Sequence, residues 1–379
     1  MAFNGLAIHS PNIFNTLAED VSDVVSMISP FETPLLDAIG NPQRSATNIL
    51  HEWMEEALNP NVVFFTANLT APATGTTQAG LSLASSESKH MMPGTILLHP
   101  GGAEYLQVVA KTATTVDVLR GYGGTTPVVT AAFATDGFTV IAVAALEGSD
   151  VSTDISRARL RKSNTMQIFK EDVIVSGSLQ AVQSLGGITN EFDHQVVQRT
   201  REATRNLEKA MYLSVASSVA LGDDTVSRSM KGLSAFLVSN NTSVGGPLTE
   251  TALKSIVKAA WQNGATDIDL ITADANWKDL IDSFNATRVR TTTDDATFRN
   301  IVTSYESSYG IQKILPPSRW MRPNTLMTLS SRRVNVVPLK GRTFQFEKVS
   351  KTGDSQKGMV LGEYSLEVKN EEGMSQAQV

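Results

Sequence analysis

Apolar positions recur along this chain with two periods, and the switches between them mark out its elements. Phe14, Leu17, Val21, Val24, Val25 and Ile28 fall three or four apart, so the stretch from Asn15 to Ile28 predicts a helix with one apolar face. Ser29-Pro30 ends it. Thr33-Pro34 then opens a short helix over residues 34–39, closed by Gly40 and Asn41-Pro42. His51-Glu52-Trp53 reads as the start of an extended segment. From Asn59 to Ala84 the periodicity lapses: the stretch is rich in Thr, Ala, Asn and Gly, and only Val62 to Phe65 is strongly apolar. A run of this length without a pattern is expected to be an arm, a lid or a disordered segment outside any compact domain.

Residues 85–148 predict a small all-β unit. Short β-prone runs at 95–98, 104–109, 115–119 and 138–141 are separated by Pro93-Gly94, Gly101-Gly102, Gly123-Gly124 and Asp136-Gly137. Turns about a dozen residues apart suit a barrel or sandwich-like module. Residues 174–177 then give way to a short helix.

The longest helix is expected over Asn190–Leu221, capped by Thr189-Asn190 and stopped by Gly222. Phe192, Val196, Ala203, Leu207, Met211 and Val215 form its stripe. Glu202 with Arg205, and Arg205 with Glu208, are expected as pairs on its wet side. Residues 226–340 read as α/β. Thr249 caps a helix carrying Leu253, Ile256, Val257, Ala260 and Trp261, and Gly264 ends it. A strand at 268–272 leads to a second helix capped by Asp274, with strands at 311–315, 325–329 and 334–337. The tail over 343–368 holds two or three more strands around a turn at Thr352-Gly353-Asp354.

Composition narrows the class. The chain has 379 residues, 41% of them hydrophobic and 18% charged, a balance that supports two or three packed domains. Its net charge of −6 comes without any basic stripe, which argues against a sequence-specific DNA reader. No cysteine is present, so disulfides and thiolate metal sites are excluded. No apolar run approaches the roughly 20 residues that span a bilayer, and residues 1–10 lack the form of a signal peptide.

Motifs for catalysis or cofactors are sparse, and neither a cofactor nor a metal is expected. Gly121-Tyr122-Gly123-Gly124 lacks the third glycine and the helix of a dinucleotide fingerprint and reads as a turn. His51-Glu52-Trp53-Met54-Glu55 has Glu55 where a zinc helix needs its second histidine. Asp223-Asp224, Asp294-Asp295 and Glu371-Glu372 read as solvated loop charges. Arg157, Arg159 and Arg161 alternate, so on a strand they would share one face. That row suits a subunit contact, a plain solvated face or DNA. A hydrolase built from dispersed Ser, His and Asp would need His51, His90, His99 or His194 beside a nucleophile and a carboxylate. A carbohydrate- or receptor-binding module would use Tyr105, Tyr122, Phe133 or Phe138.

Several segments together carry a resemblance. Ile28-Ser29-Pro30-Phe31-Glu32-Thr33-Pro34-Leu35-Leu36 is followed at a fixed spacing by His51-Glu52-Trp53. Arg120-Gly121-Tyr122-Gly123-Gly124-Thr125 makes a glycine turn. Asn164 to Phe169 and Val175-Ser176-Gly177 lead to the long helix, within which lies Arg205-Asn206-Leu207-Glu208. Arg228 to Leu233 leaves it. Leu339-Lys340-Gly341-Arg342 and Lys351 to Ser355 precede Glu363-Tyr364-Ser365-Leu366-Glu367-Val368. In this order they resemble the major head proteins of tailed bacteriophages with the Hong Kong 97-type fold, in the branch whose extended loop carries an inserted β-module.

The resemblance implies an α+β capsid fold: an N-terminal arm (1–50), an extended loop with a barrel-like insertion (51–150), a peripheral domain with the spine helix (151–225, helix about 190–221), an α/β axial domain (226–340) and a C-terminal return to the peripheral domain (341–379). It also implies a structural, non-enzymatic protein of the virion, made in the host cytoplasm and assembled as hexamers and pentamers of a shell. Separate scaffolding, portal and decoration proteins and non-specific proximity to packaged double-stranded DNA are the partners implied; no membrane is. Little precedes the core, so a separate scaffold, or none, is expected, and no Lys, Asn and Glu set identifies covalent crosslinks. An encapsulin-type cellular shell is the alternative sharing this fold. Arms and loops that bury little at home are buried against neighbours, so Arg157, Arg159, Arg161, Trp53, Phe64 and Phe65 are the candidate inter-subunit contacts.

Overall fold

The computed structural model describes residues 32–40, 44–66, 68–70, 73–128, 137–150, 154–181, 190–217, 221–284 and 302–379. The helix expected over Asn15–Ile28, His9, Phe133 and Asp294-Asp295 lie outside them. The chain divides into two compact units, one of residues 1–53 and 162–379 and the other of residues 54–161.

The first unit opens with α1 (Pro34–Ile39). Proline sits in its first turn, where the lost N–H is not needed, and Gly40 leaves it at φ +81°. β1 (Leu50–Glu55) then carries the chain into the second unit.

That second unit is a small antiparallel barrel. Its strands are β2 (Val62–Val63), β3 (Thr77–Ser82), β4 (Thr95–Leu98), β5 (Tyr105–Lys111), β6 (Thr115–Leu119) and β7 (Phe138–Val143), in the spatial order β2-β7-β4-β5-β6-β3. The two outer strands meet just beyond their ends. Phe65 bridges Leu83, Thr66 N–H donates to Ser82 at 2.9 Å, and Ala84 N–H donates to Phe64 at 2.8 Å. Closure removes the open edges that a six-stranded sheet would expose. Alternation fills the inside: Leu106 and Val108 from β5 and Val116 and Val118 from β6 are fully buried, and Phe65 meets Phe138 edge-on at 4.9 Å.

Here the expectation for Asn59–Ala84 is corrected. The stretch supplies both closing strands and buries Phe65, Leu69, Leu81 and Leu83 in the barrel core. The module therefore starts near residue 62, not 85. Its apolar residues are too widely and unevenly spaced to show a period, yet each lands inside because the strands are short and interrupted by a bulge between Gln78 and Leu81.

A buried ion pair locks the barrel's connections. Arg120 and Glu104 have no solvent exposure. Arg120 places two donors on Glu104 at 2.8 Å each, one on Gln78 at 2.8 Å and one on the Val128 carbonyl at 2.7 Å, and also reaches the Thr70 carbonyl. Glu104 further accepts from Gly121 N–H at 3.0 Å and Val128 N–H at 2.8 Å. Gly121 stands at φ +67°, where a Cβ would come within 2.5 Å of the Thr125 carbonyl, so the expected glycine turn is the one that brings its N–H to Glu104.

The first unit resumes with β8 (Leu160–Thr165), β9 (Gln167–Ser176), α2 (Gly177–Ala181) and α3 (Glu191–Leu213). Asn190 caps α3 by accepting from Phe192 N–H at 3.1 Å. The helix stops at Leu213, eight residues before the expected end at Leu221, and is about 34 Å long at about 1.5 Å per residue. Val215 to Leu221 carries no local stop. Instead Gly232 returns against the last turn and donates to the Ser214 carbonyl at 2.8 Å; a Cβ there would lie 2.6 Å from the Ala210 carbonyl. Val215, expected in the stripe, is therefore exposed.

Beyond it come α4 (Leu233–Phe236), β10 (Asn241–Ser243), α5 (Glu250–Gln262), β11 (Leu270–Ala273), α6 (Ala275–Ser283), β12 (Ser304–Ser307), β13 (Gly310–Ile314), β14 (Thr325–Leu329), β15 (Val334–Pro338), β16 (Gln345–Val349), β17 (Ser355–Val368) and β18 (Ser375–Gln378). Thr249 and Asp274 cap α5 and α6 with their side chains, as their sequence positions indicate. One sheet has the order β10-β18-β14-β11-β13-β12. Ile271 and Ala273 face α5 and α6, while Leu270, Met327 and Leu329 face the core shared with Leu207 and Met211 of α3. The other sheet is organised by β17: β15 pairs with its end at Tyr364–Val368, β16 with Lys357–Leu361, and β9 with Ser355–Tyr364. These sheets do not follow the division expected at residue 340. β15 precedes it but joins β17, and β18 follows it but joins β14.

Replacing Glu104 with alanine is expected to destabilise the barrel by about 3–5 kcal/mol, because it strands a buried guanidinium. Replacing Glu104 with leucine and Arg120 with methionine together should restore most of that. Denaturant unfolding followed by hydrogen exchange at β5 and β6 measures both, and an equal loss in the double variant refutes the assignment. Burial pushes the Glu104 carboxyl up, but Arg120 and the Val128 and Gly121 N–H groups outweigh it, leaving it below the usual carboxylate value. Its contribution is therefore present above the ordinary carboxylate range and is lost as pH falls through the lowered value.

Candidate interaction surfaces

The six residues singled out from the sequence separate into buried and exposed groups. Trp53, from β1, is 7% exposed and packs against Phe236 at 6.1 Å. Phe65 is fully buried in the barrel. Both are spent inside their own units, so their side chains are not offered to a neighbour. Phe64, alternating with Phe65, is only half-buried and lies beside Gly137.

The arginine row is corrected in its placement. Residues 154–159 are not a strand, and β8 begins only at Leu160. Arg157 turns inward, donating to the Leu58 carbonyl at 2.9 Å and to Glu87 at 3.0 Å. Arg159 lies 3.5 Å from Glu56 with both side chains exposed. Arg161 is exposed and engaged with other residues. Only an uninterrupted strand would have put all three on one face.

The same unit exposes large apolar side chains outside the barrel strands: Leu58 (90%) and Leu146 (83%) on connecting segments and Met54 (67%) at the end of β1. In the first unit, Ile174 of β9, Trp261 of α5 and Ile311 of β13 are exposed, with the Trp261 ring 5.3 Å from that of Tyr309 and tilted 42° to it. Trp261 was expected on the apolar face of α5 with Leu253 and Ile256, and it instead lies on that stripe's margin.

The titratable groups are bound into structure. His51 lies 3.7 Å from Glu367, which also pairs with Lys369 at 3.0 Å. Burial raises the Glu367 carboxyl, but His51 and Lys369 together hold it below its usual value. His90 Nδ1 lies 3.3 Å from the Ile155 carbonyl, and His99 Nδ1 faces Gly101 N–H at 2.9 Å. Asp223 accepts from Thr225 and Val226 and shapes a turn. Glu371 accepts from Ser239. Among the described residues, no three His, Cys, Asp or Glu side chains are grouped to hold a metal ion.

Besides Glu104 and Glu367, two further carboxylates are buried that the sequence does not mark as such. Glu363 of β17 sits between Arg228 at 2.8 Å and Arg342 at 2.6 Å. Arg228 also donates to the Met166 carbonyl at 2.9 Å, so this cluster joins the chain leaving α3 to β9 and β17. Glu208 of α3 was expected on the wet face paired with Arg205; it is fully buried. Its Oε1 accepts from Leu35 N–H at 2.9 Å and its Oε2 from Leu36 N–H at 2.8 Å. Glu202, the other expected partner of Arg205, pairs instead with Arg199. A helix face that looks polar is covered because α1, far away in sequence, lies on it.

A model of the SU10 major capsid protein family matches residues 8–377. The chain is similar in structure to a subunit of the cyanophage A-1(L) capsid, with a TM-score of 0.53 and 9% identity over 96% of both chains. It is similar to a structure from Mycobacterium phage Bobi, with a TM-score of 0.50 and 10% identity over 98% of both chains. An encapsulin complex from Synechococcus elongatus PCC 7942 matches 58% of this chain and 77% of its own, with a TM-score of 0.42 and 11% identity. No curated protein matches the chain. The near-complete overlap with the two phage structures gives the α+β fold as that of tailed-phage capsid subunits, the Hong Kong 97-type fold.

Reversing Arg157 to Glu is expected to lower the stability of the isolated chain by about 1 kcal/mol or more, since it sets a carboxylate against Glu87. Reversing Arg159 should leave that stability within about 0.5 kcal/mol. Thermal unfolding of the two variants checks this, and equal effects would contradict the inward and outward placements.

Proposed function

The chain belongs to the SU10 major capsid protein family, and from that membership we propose that it closes, as hexamers and pentamers, the icosahedral or elongated shell of a phage head. The observation that carries the reading is the extent of the match: residues 8–377 include both units, barrel and sheets alike. The barrel unit corresponds to the extended loop with its inserted module, and the first unit to the peripheral and axial parts. The arm is the segment before β1.

Supporting this are large apolar side chains that the single chain leaves in water. Leu58, Leu146 and Met54 sit on the segments flanking the barrel strands, where a neighbouring copy would cover them. Phe64 and Arg159 remain the contact residues from the sequence reading, and Arg161 belongs with them. Many moderate contacts, repeated by symmetry, close such a shell. The net charge of −6 suits a wall beside packaged double-stranded DNA that must not adhere to it. The role is that of a building unit and not of a catalyst, and separate scaffolding, portal and decoration proteins complete the head.

Electron microscopy of the purified chain at high concentration is expected to show ring-shaped capsomers or shells. A persistent compact monomer would overturn the reading. Deleting residues 1–25 should leave both units folded while impairing assembly, and an unchanged yield of shells would refute the role given to the arm. Reversing Arg159 and Arg161 should weaken capsomers more than it weakens the subunit, as sedimentation and thermal unfolding would separate.

A further inference from the structure

Six apolar residues in succession stand in water at the end of β7. Ile141, Ala142, Val143, Ala144, Ala145 and Leu146 are all exposed, Ile141 to 48%, Val143 to 44% and Leu146 to 83%. None of the six carries a charge or a polar side chain, and the run contains neither proline nor glycine. A strand in the wall of a closed barrel buries every second side chain, so exposure at successive positions needs a local cause. The register supplies it. Leu97 pairs with Val140 and Ile96 with Ala142, which leaves Ile141 as an extra residue opposite β4. Such a bulge re-aims the side chains that follow it, and Val143 is exposed although its partner Thr95 is buried.

The same stretch has one fastened edge and one open edge. On one side β4 pairs with β7 as far as Val143, and Ala144 N–H donates to the Gly94 carbonyl at 2.9 Å. On the other side β2 reaches only Thr139 and Phe138, and Val140 N–H donates to the Asn61 carbonyl at 2.7 Å. Beyond Val140, among the described residues, no strand pairs with that side. Its backbone groups are therefore placed to receive an added strand. A partner that packed on one face alone would leave the apolar side chains of the other face wet, whereas a strand added at the edge extends both faces together.

We propose that residues 141–146 pair edge to edge, antiparallel, with the same residues of a second copy about a two-fold axis, joining two barrels through one continuous sheet. The proposal rests on the shell reading, which makes further copies of this chain the abundant partner. The chemistry of the run selects its own duplicate. Without charge it meets itself free of repulsion and gives a charged partner nothing to recognise. Each copy presents the same open edge, so a two-fold contact satisfies both rows of backbone groups at once. Ala142, Ala144 and Ala145 are small enough for two strands to meet without crowding the axis. The antiparallel sense follows from the acidic residues beyond the run. It sends Glu147 and Asp150 of the two copies to opposite ends, where a parallel pairing would set them against their duplicates.

The test uses the full chain, as isolated subunit and as assembled particle. Amide exchange over residues 141–146 is expected to be fast in the subunit and slowed about tenfold or more on assembly, as new backbone hydrogen bonds require. The chain contains no cysteine, so single cysteines placed in turn at Ala142, Val143, Ala144 and Ala145 report on this contact alone. Oxidised singly and as mixtures of neighbouring variants, they are expected to give linked dimers at the one position, or the one neighbouring pair, that the axis sets face to face. Ala142→Lys places like charges across the axis and should weaken association roughly tenfold, with thermal unfolding of the subunit unchanged. Particles that form while residues 141–146 still exchange freely, that link at no position or at all alike, or that tolerate A142K overturn the pairing and leave the shell reading standing. Slow exchange already present in the isolated subunit overturns it too, because the run is then covered by its own chain. A parent chain that never assembles overturns both.

Discussion

A carboxylate taken out of water needs donors to replace the solvent it lost, and the way this chain meets that need organises both units. Isolated burial of a charge costs far more than a domain can supply, so each such group must recruit partners from wherever the chain passes. Glu104 recruits Arg120 and two backbone N–H groups and thereby fixes the connections of the barrel. Glu363 recruits Arg228 and Arg342 and ties the exit from α3 to the central strand β17. Glu208 recruits only backbone. Hydrophobic burial supplies most of the stabilisation in both units, but it is non-directional. These carboxylates set which loops meet.

Local signals were readable wherever the local chain decides. Pro34 and Gly40 bracket α1, Thr249 and Asp274 cap their helices, and the apolar run at Thr325–Leu329 is β14. The barrel strands with strict alternation, such as Thr115–Leu119, were equally plain. What failed to read were outcomes set at long range. Nothing in Val215 to Leu221 says that Gly232 will return to terminate α3. Nothing between Asn59 and Ala84 says that Phe65 and Leu83 will meet. β12, at the sheet's edge, and β18, between β10 and β14, are four-residue pieces defined only by their partners.

The candidate contacts show the same limit more sharply. Phe64 and Phe65 are chemically identical neighbours, yet one closes a core and the other is half-buried, because a strand sends successive side chains to opposite faces. The arginines were assigned one face by that rule, and the rule failed only because the segment is not a strand. Family resemblance supplied the overall architecture, since ordered motifs such as Arg120-Gly121 and Arg228 to Leu233 mark structural hubs. It did not reveal what those residues touch. Arg120 stands in the quoted turn, and its partner Glu104 lies 16 residues earlier, outside it.

Glu208 makes the point that sequence amphipathicity describes a helix in isolation. With Arg205 and Glu202 beside it, its position looks like solvated helix surface. Once α1 lies over α3, the identical position becomes interior. The result is a carboxyl whose burial depends on the segment that covers it, unlike Glu104, whose Arg120 is buried with it, or Glu363, which keeps Arg228 and the part-exposed Arg342 beside it. A carboxylate with its own counter-ion makes a permanent joint, because separating the pair leaves two charges to be resolvated in a tight interior. A carboxylate that holds only backbone N–H groups, as Glu208 holds those of Leu35 and Leu36, makes a joint that depends on the packing of Leu35 in the core and of Leu36, Ala38 and Ile39 against it.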